Sequence, residues 1–127
     1  MGFSKAWRQV LEFHHTFGSP YRNKPTLISN DEANLRYELL REELNELMMA
    51  MNNHDLVEIA DALGDILYVT YGAAIQYGIP LDDVVDEIHR SNMTKLDNGK
   101  VVKRSDGKIL KGPNYEPPNI RRVLKLD

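Results

Sequence analysis

Between Glu42 and His89 the chain carries eleven acidic residues and neither lysine nor arginine, so this segment must hold its carboxylates without local counter-ions. Six of the acids fall close together. Glu42, Glu43 and Glu46 precede a polar turn, Asn52-Asn53-His54, and Glu58, Asp61 and Asp65 follow it. Each set has the three- and four-residue spacing that brings side chains to one side of an α-helix. The pattern predicts two consecutive helices that face each other across two acidic stripes.

The first of these helices runs through DEANLRYELLREELNELMMAM, with Asn30 or Ser29 as its N-cap. Leu40, Leu44, Leu47, Met48 and Met51 share one broad face, and Glu38, Glu42 and Glu46 lie roughly opposite. Taken alone, such a glutamate stripe is an ordinary solvent face. The second helix starts from a cap at Asp55 or Asn53. Between Leu56 and Pro80 its only charged residues are Glu58, Asp61 and Asp65, within an arc of roughly 60° at about 100° per residue, and its surroundings are apolar, small or aromatic. A helix apolar nearly all round is expected to be buried. Buried carboxylates must protonate, pair or bind a cation. Arg36 and Arg41 are the candidates for pairing, and two arginines do not neutralise six acids. A cluster of carboxylate oxygens is the ligand set that Mg²⁺ or Mn²⁺ takes.

With 127 residues, 42% of them apolar, the chain is the size of one domain, expected to have a helical body over 1–97 and an extended basic tail over 98–127. Residues 3–17 predict a first helix with Phe3, Trp7, Val10, Leu11, Phe13 and Phe17 as its apolar face and Gly18 as its stop. In the loop GSPYRNKPTLISN, Arg22 and Lys24 are phosphate contacts or plain solvated cations. Gly78-Ile79-Pro80 ends the third helix, and Pro80 suits the first turn of a fourth whose core side is Leu81, Val84, Val85, Ile88 and Met93. Asp82, Asp83, Asp86 and Glu87 read as first-turn and solvent acids, and His89 as structural or as a ligand. KVVKR and KILKG around Ser105-Asp106-Gly107 predict a small hairpin, and GPNYEPPN an extended run. The expected class is all-α, a bundle of four to five helices with a short hairpin and extended C-terminal flap.

Residues 90–127 hold ten Lys or Arg against four acids. A basic tail beside an acidic middle suits an anionic substrate that arrives with metal cations, the alternative being solvated surface in both places. The tail is short, mixed with apolar residues and followed by a proline-rich turn, which favours an ordered flap over a nucleic-acid arm. The absence of cysteine excludes disulfides, thiolate zinc sites and thiol nucleophiles. No apolar run reaches the roughly 18 residues of a membrane span, and a soluble, cytoplasmic protein is expected. There is no internal repeat, glycine-rich phosphate loop, nucleophile elbow or zinc-type His/Cys spacing.

Glu42-Glu43-x-x-Glu46, followed after a short turn by Glu58-x-x-Asp61, resembles the metal motif of the all-α nucleoside triphosphate pyrophosphohydrolases, the superfamily of MazG proteins, phosphoribosyl-ATP pyrophosphohydrolases and dimeric dUTPases. The likeness continues through ALGDILYVTYGAAIQYGIPLDDVVDEIHRSNMTKL and DGKILKGPNYEPP, which look like the MazG-like branch close to dUTP pyrophosphatases, and it covers Arg36 to Pro118. It implies an obligate homo-oligomer, dimer or tetramer, in which four-helix bundles form from two subunits. It implies hydrolysis between the α- and β-phosphates of a nucleoside triphosphate, dUTP first, to a monophosphate and pyrophosphate. Carried over by position, Glu42, Glu46, Glu58 and Asp61 ligand Mg²⁺, or Mn²⁺, and Glu43 is a further ligand or orients the attacking water. Asp65, in its Gly-Asp-Ile-Leu-Tyr context, matches an aspartate that other branches use, so Asp61 and Asp65 are both candidates for the fourth carboxylate. The turn between the motifs is at the short end of what the family shows. Lys95, Lys108 and Lys111 are candidate phosphate contacts, with Asn92 for the base or sugar and Tyr115 for stacking. The alternatives are a non-catalytic, nucleotide- and metal-binding regulatory protein and a helical adaptor with structural acids.

Overall fold

A computed structural model of the protein describes residues 2–126. Among these residues five helices follow one another: α1 (Lys5–Phe17), α2 (Asn30–Asn52), α3 (Leu56–Tyr77), α4 (Leu81–Met93) and the single turn α5 (Ile120–Val123). Among the described residues there is no strand. The expected hairpin is reduced to two isolated antiparallel bridges, Asp97 with Lys100 and Lys103 with Ile109. The fold is all-α and MazG-like, as expected. The chain divides into two compact units, Met1–Ile79 and Pro80–Asp127.

In the first unit the helix ends are set by short polar side chains. Ser29, not Asn30, caps α2, and it does so reciprocally: its hydroxyl accepts from the Glu32 N–H while Glu32 Oε1 accepts from the Ser29 N–H, both at 3.2 Å. Such a cap stabilises a helix by about 1 kcal/mol. Asp55 caps α3 by accepting from the Glu58 N–H at 3.1 Å. Only Asn53, His54 and Asp55 separate α2 from α3, and so short a connection folds them back as antiparallel neighbours.

Trp7, Val10 and His14 of α1 are buried, as are Gly72, Ala74 and Ile75 in the C-terminal half of α3. Trp7 meets Tyr71 edge to face, with ring centroids 6.4 Å apart. The same end of the α2–α3 hairpin carries a buried polar clamp. Gln76 accepts from Arg36 Nε and donates to Glu32 Oε2 at 2.7 Å, and Arg22 donates to the Gln76 carbonyl at 2.8 Å. Arg22 thereby holds the loop to α3 and is not a free phosphate contact. Arg36 is spent in this clamp, and Arg41 pairs with Glu38 at 2.6 Å, its charge felt also by Glu42 at the start of the first stripe.

Several expectations are corrected. The helix α3 is not buried all round: beside the buried Ala62 and the buried run from Gly72 to Gln76, Leu56 is 79% exposed, Val57 76% and Leu67 54%. Within the first unit α2 covers one side of α3, and α1 and the loop carrying Arg22 cover its C-terminal end. Phe13, Phe17, Leu44 and Met48 are exposed as well. In the second unit Pro80 is the N-cap of α4 and not its first turn. Glu87 is not a solvent acid; it and Ser91 are the buried residues of α4, while Val85, Ile88 and Met93 of its supposed core side are exposed. The inner side of α4 is polar because the partner it meets is an extended chain with free backbone groups.

Gly78 ends α3 in the left-handed conformation, with φ 73°, and a Cβ there would stand 2.1 Å from the Lys24 carbonyl oxygen. Gly78→Ala is therefore expected to cost about 2–4 kcal/mol in urea unfolding, above the roughly 1–2 kcal/mol of a left-handed alanine alone.

Candidate metal centre

The antiparallel hairpin sets Glu43 and Glu46, three residues apart on α2, against Asp61 and Asp65, four residues apart on α3. One carboxylate oxygen from each of Glu43, Glu46 and Asp65 lies within 4.8 Å of the other two. Glu43 Oε2 is shut off from solvent and has no hydrogen-bond partner. Burial pushes the Glu43 carboxyl up to about 6, helped by the charges of Glu46 and Asp65, a hydrogen bond with Glu46 and the charge of Asp61. Toward the turn, a cavity of about 180 Å³ is lined by Glu46, Asn53, Asp55, Glu58 and Asp61 among others. Glu46 belongs to both groups and joins them.

The expected ligands are thus not all brought together. Glu43, Glu46 and Asp65 form the close trio, and Glu58 and Asp61 line the neighbouring cavity. Glu42 is exposed and belongs to neither. Asn92, Lys95, Lys108, Lys111 and Tyr115 lie in the second unit. There the Lys111 ammonium sits 4.8 Å from the Tyr115 ring centroid, and the Lys95 carbonyl accepts from the Gly112 N–H at 3.1 Å. Asn92 and Lys108 are exposed. Sequence reasoning treated Asp55 only as a cap and missed its place at the cavity wall. Its position three residues before Glu58, on the same helical side, was the available signal.

The donor set fits a hard divalent cation. None of the ion pairs among the described residues involves Glu43, Glu46, Asp61 or Asp65. An orphaned, shielded carboxylate oxygen beside three further carboxylates is answered by protonation or by a cation with oxygen affinity.

Fold and site together define a class, an all-α protein whose centre is a helical hairpin walled by carboxylates from both arms. Residues 10–92 match the family model described as phosphoribosyl-ATP pyrophosphohydrolase, and the chain belongs to that family, within the MazG-like all-α superfamily. It is also similar to an uncharacterised protein of Acanthamoeba polyphaga mimivirus, 42% identical over 80 residues. That match covers 60% of this chain and 32% of the relative, so the chain spans about a third of the curated relative's length. Family membership supports a pyrophosphohydrolase-type function on a nucleotide in general. No helix among the described residues is long and apolar enough to cross a membrane.

Glu43 binds its proton more tightly in the folded protein, at about 6, than at its ordinary 4.5. The folded state therefore holds the extra proton between those values, and stability should fall as pH rises through that window. In chelator, melting temperature followed against pH should decline across it in the wild type and stay flatter in Glu43→Gln. Addition of Mg²⁺ near pH 8 should raise the wild-type melting temperature.

Proposed function

We propose that the protein is a divalent-cation-dependent nucleoside triphosphate pyrophosphohydrolase that cleaves the bond between the α- and β-phosphates of a deoxynucleoside triphosphate, dUTP first, to a nucleoside monophosphate and pyrophosphate. The observation that carries this reading is the shielded, unpartnered Glu43 oxygen among Glu46, Asp61 and Asp65. Such a group of acids is adapted to cations, and a polyphosphate is the substrate that travels with them.

In this reading Glu46, Glu58, Asp61 and Asp65 hold Mg²⁺ or Mn²⁺, and Glu42, one turn before Glu46, completes the set. Mg²⁺ bound there supplies charge neutralisation for the triphosphate and for the departing pyrophosphate. Glu43 orients the attacking water in line with the α-phosphorus and takes its proton. Cations beside it draw the carboxyl back to its ionised form, which is the form a base requires. Lys95, Lys108 and Lys111 complete the neutralisation of the phosphates, Asn92 holds the base or sugar, and Tyr115 stacks. Residues 1–127 then act as one MazG-like domain of a cytoplasmic enzyme. The exposed Leu56, Val57, Leu63 and Leu67 of α3 and Leu44 and Met48 of α2 support a homodimer or tetramer in which a second copy covers them.

A pyrophosphate-release screen over all canonical and several non-canonical nucleoside triphosphates, with Mg²⁺ or Mn²⁺, tests activity and substrate together. Turnover is expected, with dUTP best, and Glu46→Gln and Asp61→Asn should each lower it by at least about a hundredfold. Full activity in both variants overturns the site, and tight nucleotide binding without turnover turns the protein into a regulatory binder. In sedimentation velocity, Leu63→Glu with Leu67→Glu should shift the protein from oligomer to monomer.

A further inference from the structure

The C-terminal segment has almost no core of its own. Residues 97–118 form turns and two isolated bridges, and Val101 and Ile109 are exposed. Its order comes from a polar stripe on α4, where Glu87, Arg90, Ser91 and Thr94 recur at the spacing of one helix face. Glu87 Oε2 accepts from the Asn119 N–H at 2.7 Å, and its carboxylate accepts from both Arg90, at 2.9 Å, and Arg122, at 3.2 Å. Arg90 first, then the Asn119 N–H and Arg122, draw the Glu87 carboxyl down to about 2. Ser91 Oγ donates to the Glu116 carbonyl at 2.7 Å and stands 3.2 Å from the Tyr115 hydroxyl, and Thr94 Oγ1 accepts from the Glu116 N–H at 2.8 Å. Glu87 and Ser91 are 6% and 1% exposed. A carboxylate is tolerated at that depth because two guanidiniums and a backbone donor face it.

The stripe fixes more than the path of the chain. Gly112 comes so close to the chain just past α4 that a Cβ on it would stand 2.9 Å from the Lys95 carbonyl oxygen. Lys111, its neighbour, holds its ammonium over the Tyr115 ring, and Tyr115 is tied to Ser91. Two residues of the segment are thus held in set places beside the C-terminal end of α4, which carries Asn92 and is followed by Lys95.

We propose that Glu87 is a positioning residue for substrate: by fastening Asn119 and Arg122 to α4 it makes Asn92, Lys95, Lys111 and Tyr115 one preformed receptor for the anionic end of a nucleoside triphosphate. The proposal rests on the nucleotide reading of the preceding section. Cationic side chains on an unfastened segment lose their freedom only on binding, which weakens affinity and leaves the carboxylates of the metal centre untouched.

The test measures binding of an α,β-imido deoxynucleoside triphosphate with Mg²⁺ by calorimetry, amide hydrogen exchange, and steady-state turnover. The full-length wild type is compared with Glu87→Gln and Gly112→Ala, two substitutions that loosen the segment by different means. Both should raise Kd and KM by about tenfold or more with kcat within about twofold, and speed exchange over residues 112–126 with that of α2 and α3 unchanged. Wild-type affinity in variants whose segment has come loose overturns this inference alone, as does unchanged exchange in Glu87→Gln. A joint loss of melting temperature and kcat at constant KM also overturns it, since that marks a purely structural role. No binding by the wild type overturns the nucleotide reading, and this inference with it.

Discussion

A carboxylate oxygen that neither water nor a hydrogen-bond donor reaches, set among further carboxylates, is the condition around which this protein is built. Repulsion between two such charges at the spacing of the trio amounts to about 1 kcal/mol in bulk water and roughly 3–4 kcal/mol at the effective dielectric of a protein surface. A helix cap contributes only about 1 kcal/mol. Local helix signals therefore cannot offset the crowding of Glu43, Glu46, Asp61 and Asp65 if all are ionised. The crowding raises the proton affinity of the Glu43 carboxyl, and the far end of the same hairpin is tied by other means.

That far end is the clamp of Gln76, Glu32, Arg36 and Arg22. It joins α2, α3 and the preceding loop through neutral and charge-assisted hydrogen bonds, and in doing so it takes up Arg36, one of the two arginines nearest the acids in sequence, while Arg41 pairs with Glu38. Among the described residues no ion pair reaches Glu43, Glu46, Asp61 or Asp65. The second unit works by a different principle. Its extended segment buries little apolar surface and is held by backbone groups that meet Glu87, Ser91 and Thr94, so its order depends on a few directional bonds and not on packing.

The exposed apolar side chains carry a related lesson about covering. The helix α3 has enough apolar residues to be surrounded, yet α1 covers only its C-terminal half, where Ile75 is 1% exposed. Leu56, Val57, Leu63 and Leu67 remain open along the stretch that also carries Glu58, Asp61 and Asp65. The acids and the uncovered side chains thus share one stretch of one helix.

Much of this was legible in the residues themselves. Helix periodicity, the short polar turn and glycine stops set four of the five helices and their all-α class, because these signals act within a few residues along the chain. The acidic spacing likewise marked Glu43, Glu46, Glu58, Asp61 and Asp65, since side chains three and four apart on a helix must share a side. Tertiary packing decided which acid is in difficulty. The charge-free context of α3 pointed to Glu58, Asp61 and Asp65, but the shielded oxygen is on Glu43 of α2, because burial depends on what another segment covers. The same reason hid Glu87, which looks like any acid in an early helical turn until the C-terminal segment returns to lie over it. Local sequence determined the elements and the stripe, and only the folded chain decided which side chains lose their water.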